Sequence, residues 1–197
     1  MSVLLDKDIR EIFSTHHSKR YPKSKLLSEV RVNNGMAIAD LVSIGIKSSH
    51  CYEIKSDKDN VIRIHEQSKS FDIAFNKISL ITTYSQYKKA LEIIPQYWGI
   101  IIVSNTPGKK ILYSRKASPS PLFSEQKALL ALWREELLSM ASAKKLFDKS
   151  FKRASRSELI DILSSNLSTT EICRLLNYYL LIREKNYQKR EWFRANL

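Results

Sequence analysis

Residues 36–55 read MAIADLVSIGIKSSHCYEIK. The first nine residues are apolar nearly throughout, and the last five alternate, so both segments are predicted to be β-strands. Asp40 lies in the middle of the first segment, where a carboxylate is costly to bury unless it is paired or bound to a metal. Glu53 and Lys55 lie two positions apart on the second segment and therefore share one face of its strand.

A hairpin about residues 46–49 would place Asp40 opposite or diagonal to Glu53, with their side chains about 4.5–8 Å apart. Two carboxylates at this distance repel each other, and a divalent cation relieves the repulsion. Hard oxygen ligands with open water positions suit Mg²⁺ or Mn²⁺. Lys55 on the same side can orient a metal-bound water or stabilise charge on a phosphate, which completes the groups needed for metal-assisted phosphodiester hydrolysis. The structural alternative is an ordinary amphipathic strand with an exposed Glu–Lys pair.

The flanking sequence alternates between helix and strand patterns. Apolar spacing predicts helices at 4–13, 57–76 and 85–94, and strands at 26–32, 77–83, 98–104 and 110–114. Turn signals stand at Asn33-Asn34-Gly35 and at Thr106-Pro107-Gly108. The order α-β-β-β-α-β-α-β-β predicts an α/β fold with a mixed central sheet and helices on both faces.

The segment SRKASPSPLF at 114–123 is rich in serine and proline, and it predicts a loop between two domains. Residues 1–116 would form the α/β domain and residues 122–197 a basic helical domain. A helix is predicted at 124–140. Two capping boxes, one from Ser155 to Glu158 and one from Ser168 to Glu171, predict the starts of two further helices.

Composition limits the classes of function. The chain has 197 residues with a formal net charge of +13, a balance that attracts phosphate backbones and other anionic partners. Two cysteines are too few for a disulfide scaffold, and no apolar run is long enough to cross a bilayer. The expected location is a reducing cytoplasm, with no membrane partner.

The motif and its context resemble the PD-(D/E)XK nuclease superfamily. The chain has Ala39-Asp40, twelve intervening residues and Glu53-Ile54-Lys55, within the α-β-β-β-α-β order typical of that superfamily. Ala39 stands where the motif's name has proline. The stretch ADLV…YEIKSDKDNVIRIHEQ is also similar to a little-characterised bacterial family within it, whose helical C-terminal extension resembles LWREEL, SRSELIDIL and the terminal Arg-rich helix. This resemblance covers nearly the whole chain.

The resemblance implies a restriction-endonuclease-like core with a C-terminal helical bundle, and a Mg²⁺-dependent nuclease that cleaves DNA. It implies that Asp40 and Glu53 bind the metal, helped by the main-chain carbonyl of Ile54, and that Lys55 positions or activates water. Glu29 is a further candidate ligand, because related nucleases use a glutamate near the first helix. A solvated glutamate at the sheet edge is the alternative.

Further candidates lie after the Glu53 motif. Some members of the superfamily carry a Gln-xxx-Tyr element, and here Gln67 begins the corresponding segment with Phe71 in place of tyrosine, so Gln67 joins the candidate catalytic group. Asp59, Arg63 and Gln67 recur at i, i+4 and i+8 on one predicted helical face. This face either turns Arg63 and Gln67 toward DNA phosphates or is solvated, with Asp59 as the N-cap.

Ser56 and Lys58 are candidate phosphate contacts, although no local pattern separates them from other surface residues. Two alternatives to a nuclease stay open. One is a nucleic-acid-binding module that keeps the fold without cleaving. The other is a protein-interaction factor from a phage or defence locus, whose C-terminal helices bind a partner or form a homodimer. The sequence does not distinguish DNA from RNA.

Overall fold

The computed structural model describes residues 3–45, 48–60, 62, 64–104, 111–146 and 149–195, with only the main chain at 149–150 and 187–195. Within these residues the α/β part contains α1 (Asp6–Arg20), β1 (Lys25–Val32), β2 (Ala37–Ile44), β3 (Ser49–Ile54), α2 (Ile64–Ala74), β4 (Lys77–Thr82), α3 (Tyr84–Ile93), β5 (Gly99–Val103) and β6 (Ile111–Arg115). The helical part contains α4 (Glu125–Leu129), α5 (Arg134–Ala143), α6 (Arg156–Asn166) and α7 (Thr169–Ala195). Short 3-10 turns lie at Asn33–Gly35 and Lys149–Lys152.

The six strands form one mixed sheet in the order β1-β2-β3-β4-β5-β6. The pairs β1–β2, β2–β3 and β5–β6 are antiparallel, whereas β3–β4 and β4–β5 are parallel. The two parallel pairs are those whose connections contain a helix, because a parallel connection must cross back over the sheet. The predicted element order and the mixed sheet are confirmed.

The predicted turn between the first two strands is confirmed. Asn33, Asn34 and Gly35 all have positive φ angles, of 48°, 59° and 83°. Asparagine and glycine tolerate this left-handed region better than other residues do. The second turn signal, at Thr106-Pro107-Gly108, lies outside the described residues.

Helices cover both faces of the sheet. On one face, Ile9 and Phe13 of α1 form a cluster with side chains of the sheet, namely Tyr52, Ile54, Ile81 and Ile101. On the other face, α2 and the helices after residue 122 form a single cluster with Cys51, Ile78, Leu80, Ile100 and Ile102 of the sheet. The loop at 116–123 therefore separates two segments of sequence whose apolar side chains share one core.

The two capping boxes form as predicted. The Ser155 hydroxyl accepts from the Glu158 amide, and the Glu158 carboxylate accepts from the Ser155 amide. Ser168 and Glu171 make the same reciprocal pair. In the part of the chain that the structure describes, no helix is long and apolar enough to cross a membrane.

Two predicted helices differ from the structure. The helix predicted at 57–76 begins only at Ile64, and Asp59 is not its N-cap: its carboxylate accepts from the amide and hydroxyl of Ser56 and closes a turn before the helix. The helix predicted at 124–140 is interrupted between α4 and α5. There the Trp133 amide donates to Glu136, which starts a new helix.

We expect Gly99→Ala to destabilise the fold. A Cβ at this position of β5 would overlap the Ser79 hydroxyl and lie 2.9 Å from the main-chain nitrogen of Ala117. Relieving such an overlap typically costs about 1–3 kcal/mol, measurable as a lower free energy of unfolding in urea. Gly45→Ala is the control, because its Cβ would come no closer than 3.3 Å to another atom. Equal losses in the two variants would contradict the steric argument.

Candidate active site

Asp40 lies where the regular pairing of β2 is interrupted on both sides. On the β1 side, pairing is regular at Ser28–Leu41 and Val30–Ala39, but the intervening Glu29 takes a positive φ of 55°. On the β3 side, the ladder ends at Leu41–Tyr52, and extending this register by one position places Asp40 opposite Glu53. Local strain of this kind is frequent near functional sites.

The Asp40 carboxylate has a partner on each oxygen. Its Oδ2 accepts a hydrogen bond from the main-chain amide of Ile54 at 2.8 Å. This side-chain hydrogen bond links the two strands beyond the last main-chain pair of β2 and β3. Its Oδ1 lies 3.4 Å from Nη2 of Arg10, whose Nη1 donates to the Asp40 carbonyl at 2.8 Å. Arg10 also pairs with Asp6 one turn earlier on α1, which holds the guanidinium in place.

Glu53 is a buried carboxylate with one satisfied oxygen. The residue is 1% exposed, and its Oε1 accepts from Lys55 Nζ at 2.6 Å. Its Oε2 is buried and has no hydrogen-bond partner. Burial and the negative charge of Asp40 raise the pKa of Glu53 to about 8, outweighing the opposing effect of Lys55. This raised pKa favours a proton on the carboxyl group at neutral pH when no cation is bound.

The three residues of the predicted motif are thus brought together at the ends of β2 and β3. With Arg10 they form a cluster of two acids and two bases. No group of three or more His, Cys, Asp or Glu side chains placed to hold a metal occurs within the described ranges. Two carboxylates nevertheless suffice for Mg²⁺, which usually keeps several waters, and the unpartnered Oε2 of Glu53 fits such an ion.

Gln67 and Glu53 lie on the same face of the sheet. Glu53 shares its side of β3 with Cys51, which belongs to the cluster beneath α2. Gln67 lies on α2 between Ile64 and Phe71, both buried in that cluster, and its Oε1 is buried without a partner. Two unpartnered polar oxygens therefore stand on this side of the sheet.

The other candidates are less closely associated with the cluster. Glu29 is exposed on β1, across from Asp40. Ser56 is buried and its hydroxyl donates to Asp59, so a phosphate contact would require that bond to break. Lys58 is exposed in the turn before α2. Arg63 lies outside the described residues, and its predicted phosphate contact stays a prediction.

Sequence reasoning missed Arg10. The only local signal is the i, i+4 pair with Asp6, which is typical of any solvated helix face. Its contact with Asp40 spans thirty positions and depends on how α1 docks on the sheet.

The fold and this cluster define an α/β protein with a six-stranded mixed sheet, a layer of C-terminal helices and a partly buried acid–base cluster at the ends of two strands. A sequence model of the family described as "Bacteriophage P4 protein cII" matches residues 9–193, so the chain belongs to the bacteriophage P4 protein cII family.

Among solved structures, a similar one is the SPO1766 protein of unknown function from Silicibacter pomeroyi. It is 14% identical over 72% of this chain and 88% of that chain, with a TM-score of 0.44. A comparison with curated proteins gives no match.

We expect Glu53→Gln to stabilise the metal-free protein increasingly as the pH rises. The Glu53 pKa is about 8 when folded and roughly 4.3 in a model peptide, so the folded state binds the proton more tightly. The stability that the folded state gains by binding this proton is complete at acidic pH and is lost as the pH rises through the pKa of Glu53 in the folded protein. In EDTA, the melting temperature of the variant should exceed that of the wild type by at least about 2 °C at pH 8.5, the shift that about 1 kcal/mol produces in a protein of this size.

Glu92→Gln, which changes an exposed glutamate on α3, is the matched control and should melt in parallel with the wild type. If the melting temperatures of Glu53→Gln and the wild type change in the same way from pH 5 to pH 8.5, Glu53 does not carry a raised pKa.

Proposed function

We propose that this protein is a Mg²⁺-dependent nuclease that hydrolyses phosphodiester bonds in DNA. The observation that carries the proposal is the buried carboxylate of Glu53, whose Oε2 has no partner, beside Asp40 and Lys55. The resemblance to the PD-(D/E)XK superfamily supports it, because the order α1-β1-β2-β3-α2-β4 is the one that this superfamily uses. We infer a restriction-endonuclease-like core that carries a C-terminal helical bundle.

In this proposal, Asp40 and Glu53 hold Mg²⁺ or Mn²⁺, and the Ile54 carbonyl and Glu29 are the further ligands that the resemblance implies. When bound, the cation supplies a hydroxide at neutral pH and polarises the phosphate. Lys55 has a side chain that is only 13% exposed, and it lies against Glu53, so its ammonium is poised to orient water and to stabilise charge on the phosphate.

The raised pKa of Glu53 couples cation binding to a proton. Because the raised pKa favours a proton on Glu53 at neutral pH, a cation held by this carboxylate would compete with that proton. Cation affinity should therefore rise with pH toward pH 8. Hydrogen bonds from Ile54 and Arg10 fix the orientation of the Asp40 carboxylate.

The surroundings of the site support a polyanionic substrate. The chain has a formal net charge of +13, which favours binding to phosphate backbones independently of sequence. Gln67 has an unpartnered amide oxygen on the same face of the sheet, which can accept a hydrogen bond from water or a substrate hydroxyl near the reacting groups. Lys58 and Arg63 are the basic residues that we propose as phosphate contacts.

We further propose that the protein acts in the reducing cytoplasm of a bacterial cell, because Cys51 and Cys173 are both free thiols.

The exposed rings of Trp133 and Tyr178 lie in the C-terminal helical layer. These helices are the proposed contact surface for a second copy or for a protein partner.

A non-cleaving nucleic-acid-binding module is the second candidate. The observation that favours it is that each acid of the cluster already has a basic partner without any added cation, because Arg10 lies against Asp40 and Lys55 donates to Glu53. In that case these two contacts would stabilise the fold, and the chain would bind nucleic acid through its positive charge alone.

We expect Asp40→Asn, Glu53→Gln and Lys55→Met each to slow cleavage at least about 100-fold, because the first two remove a proposed metal ligand and the third removes the group that orients water. The assay follows supercoiled, linear, branched and single-stranded DNA, and RNA, with Mg²⁺, Mn²⁺ or EDTA. Asp161→Asn and Lys88→Met, which change exposed residues on α6 and α3, are the matched controls. They should cleave at the wild-type rate.

Cleavage that survives EDTA, or any of the three site substitutions, contradicts the proposed mechanism. Wild-type protein that binds these substrates without cleaving them favours the binding module instead.

A further inference from the structure

A second concave site lies on the face of the sheet that α1 covers. It is a cavity of about 420 Å³, within the size range of small-molecule sites. His50 and Tyr52 of β3 line it, and they point to the opposite side of the strand from Glu53. Neither Asp40 nor Glu53 nor Lys55 contributes to its wall, so the cavity is separate from the candidate active site.

The wall of this cavity is basic. Four of the lining residues are cationic, namely Arg20, Lys77, Arg115 and Lys116, and none of the described lining residues is an aspartate or glutamate. Arg115 is fixed by donating to the carbonyls of Trp98 and Pro95 at 2.7 and 2.9 Å. Lys77 and Lys116 form no ion pair with any carboxylate in the described part of the chain, so their charges are available to an anion.

The same wall carries flat aromatic surfaces. Tyr113 is 38% exposed, and the Arg20 guanidinium lies 4.9 Å from the centre of its ring. His50 stacks on Tyr52 with ring centres 4.3 Å apart, and its Nε2 is bonded to the Ser79 hydroxyl at 2.9 Å. Burial and the nearby Lys77 lower the pKa of His50 to about 3, so its ring is neutral at physiological pH.

Cations beside aromatic faces are the combination that binds a nucleotide, because the base stacks and the phosphate pairs. We propose that this cavity binds a single phosphorylated nucleoside, with its base against the ring of Tyr113 and its phosphate at Lys77 and Lys116. The nucleotide is either a free nucleoside monophosphate or the terminal nucleotide of a single strand. A cavity of this volume admits one nucleotide and excludes a base-paired duplex.

Calorimetric titration in EDTA with 5′-AMP, adenosine and inorganic phosphate tests the proposal. We expect saturable binding of 5′-AMP, and at least about tenfold weaker binding of adenosine or phosphate alone, because each lacks one half of the contacts. Lys77→Gln and Tyr113→Leu should each weaken 5′-AMP binding about tenfold, the effect of losing about 1.4 kcal/mol. Lys88→Gln, on exposed α3, is the charge-matched control and should bind like the wild type.

Single-stranded oligonucleotides with and without a 5′-phosphate distinguish the two sources. Binding of 5′-AMP at least as tight as that of the phosphorylated oligonucleotide assigns the site to free nucleotides. Tighter binding of the phosphorylated oligonucleotide than of 5′-AMP, dependent on Lys77 and Tyr113, assigns it to a strand end. Inorganic phosphate that binds as tightly as 5′-AMP, equal affinities in Lys77→Gln and Lys88→Gln, or no binding of any probe would overturn the proposal.

The inference does not depend on nuclease activity. Asp40→Asn should retain full 5′-AMP affinity, whereas it should slow cleavage at least about 100-fold if the proposed function is correct. If Asp40→Asn loses cleavage but still binds 5′-AMP, the candidate active site is affected without the cavity. If Lys77→Gln loses 5′-AMP binding but still cleaves, the cavity is affected without the candidate active site.

Discussion

Burying the Glu53 carboxylate beside Asp40 is the constraint around which the rest of the α/β part is arranged. Two acids on neighbouring strands can stay close only if a proton, a cation or a basic side chain offsets their repulsion. Lys55, directly after β3, supplies one positive charge, and Arg10 supplies another from α1. The docking of α1 and the pairing of β2 with β3 therefore both serve the same electrostatic balance.

The sequence predicted the order of elements and the approach of Asp40 to Glu53 because both follow from short-range patterns. Alternation, helical spacing and the Asn33-Asn34-Gly35 turn are each readable within a window of about ten residues. A hairpin converts such local information into a register, since one turn position determines every pair along two strands. The capping boxes at Ser155 and Ser168 were predictable for the same reason.

Features that depend on distant residues were not predictable in this way. The helix after β3 starts late partly because Asp57 is tied to the Leu4 amide and the Thr83 and Ser85 hydroxyls, which belong to remote segments. The Arg10–Asp40 contact requires a docked α1, and the break at Trp133 involves Glu136, which also pairs with Arg183. The basic cavity is likewise assembled from several separate segments of the chain.

The distribution of charge connects the two sites. The cluster at Asp40 and Glu53 contains as many acids as bases, whereas the whole chain carries a formal net charge of +13. The excess of positive charge therefore lies on other surfaces, and the cavity on the α1 face concentrates four cations without any acid among its described lining residues. Strand β3 contributes to both sites through its alternation, with Glu53 on one face and His50 and Tyr52 on the other. A shift of one position in its pairing would exchange these faces and disrupt both sites together.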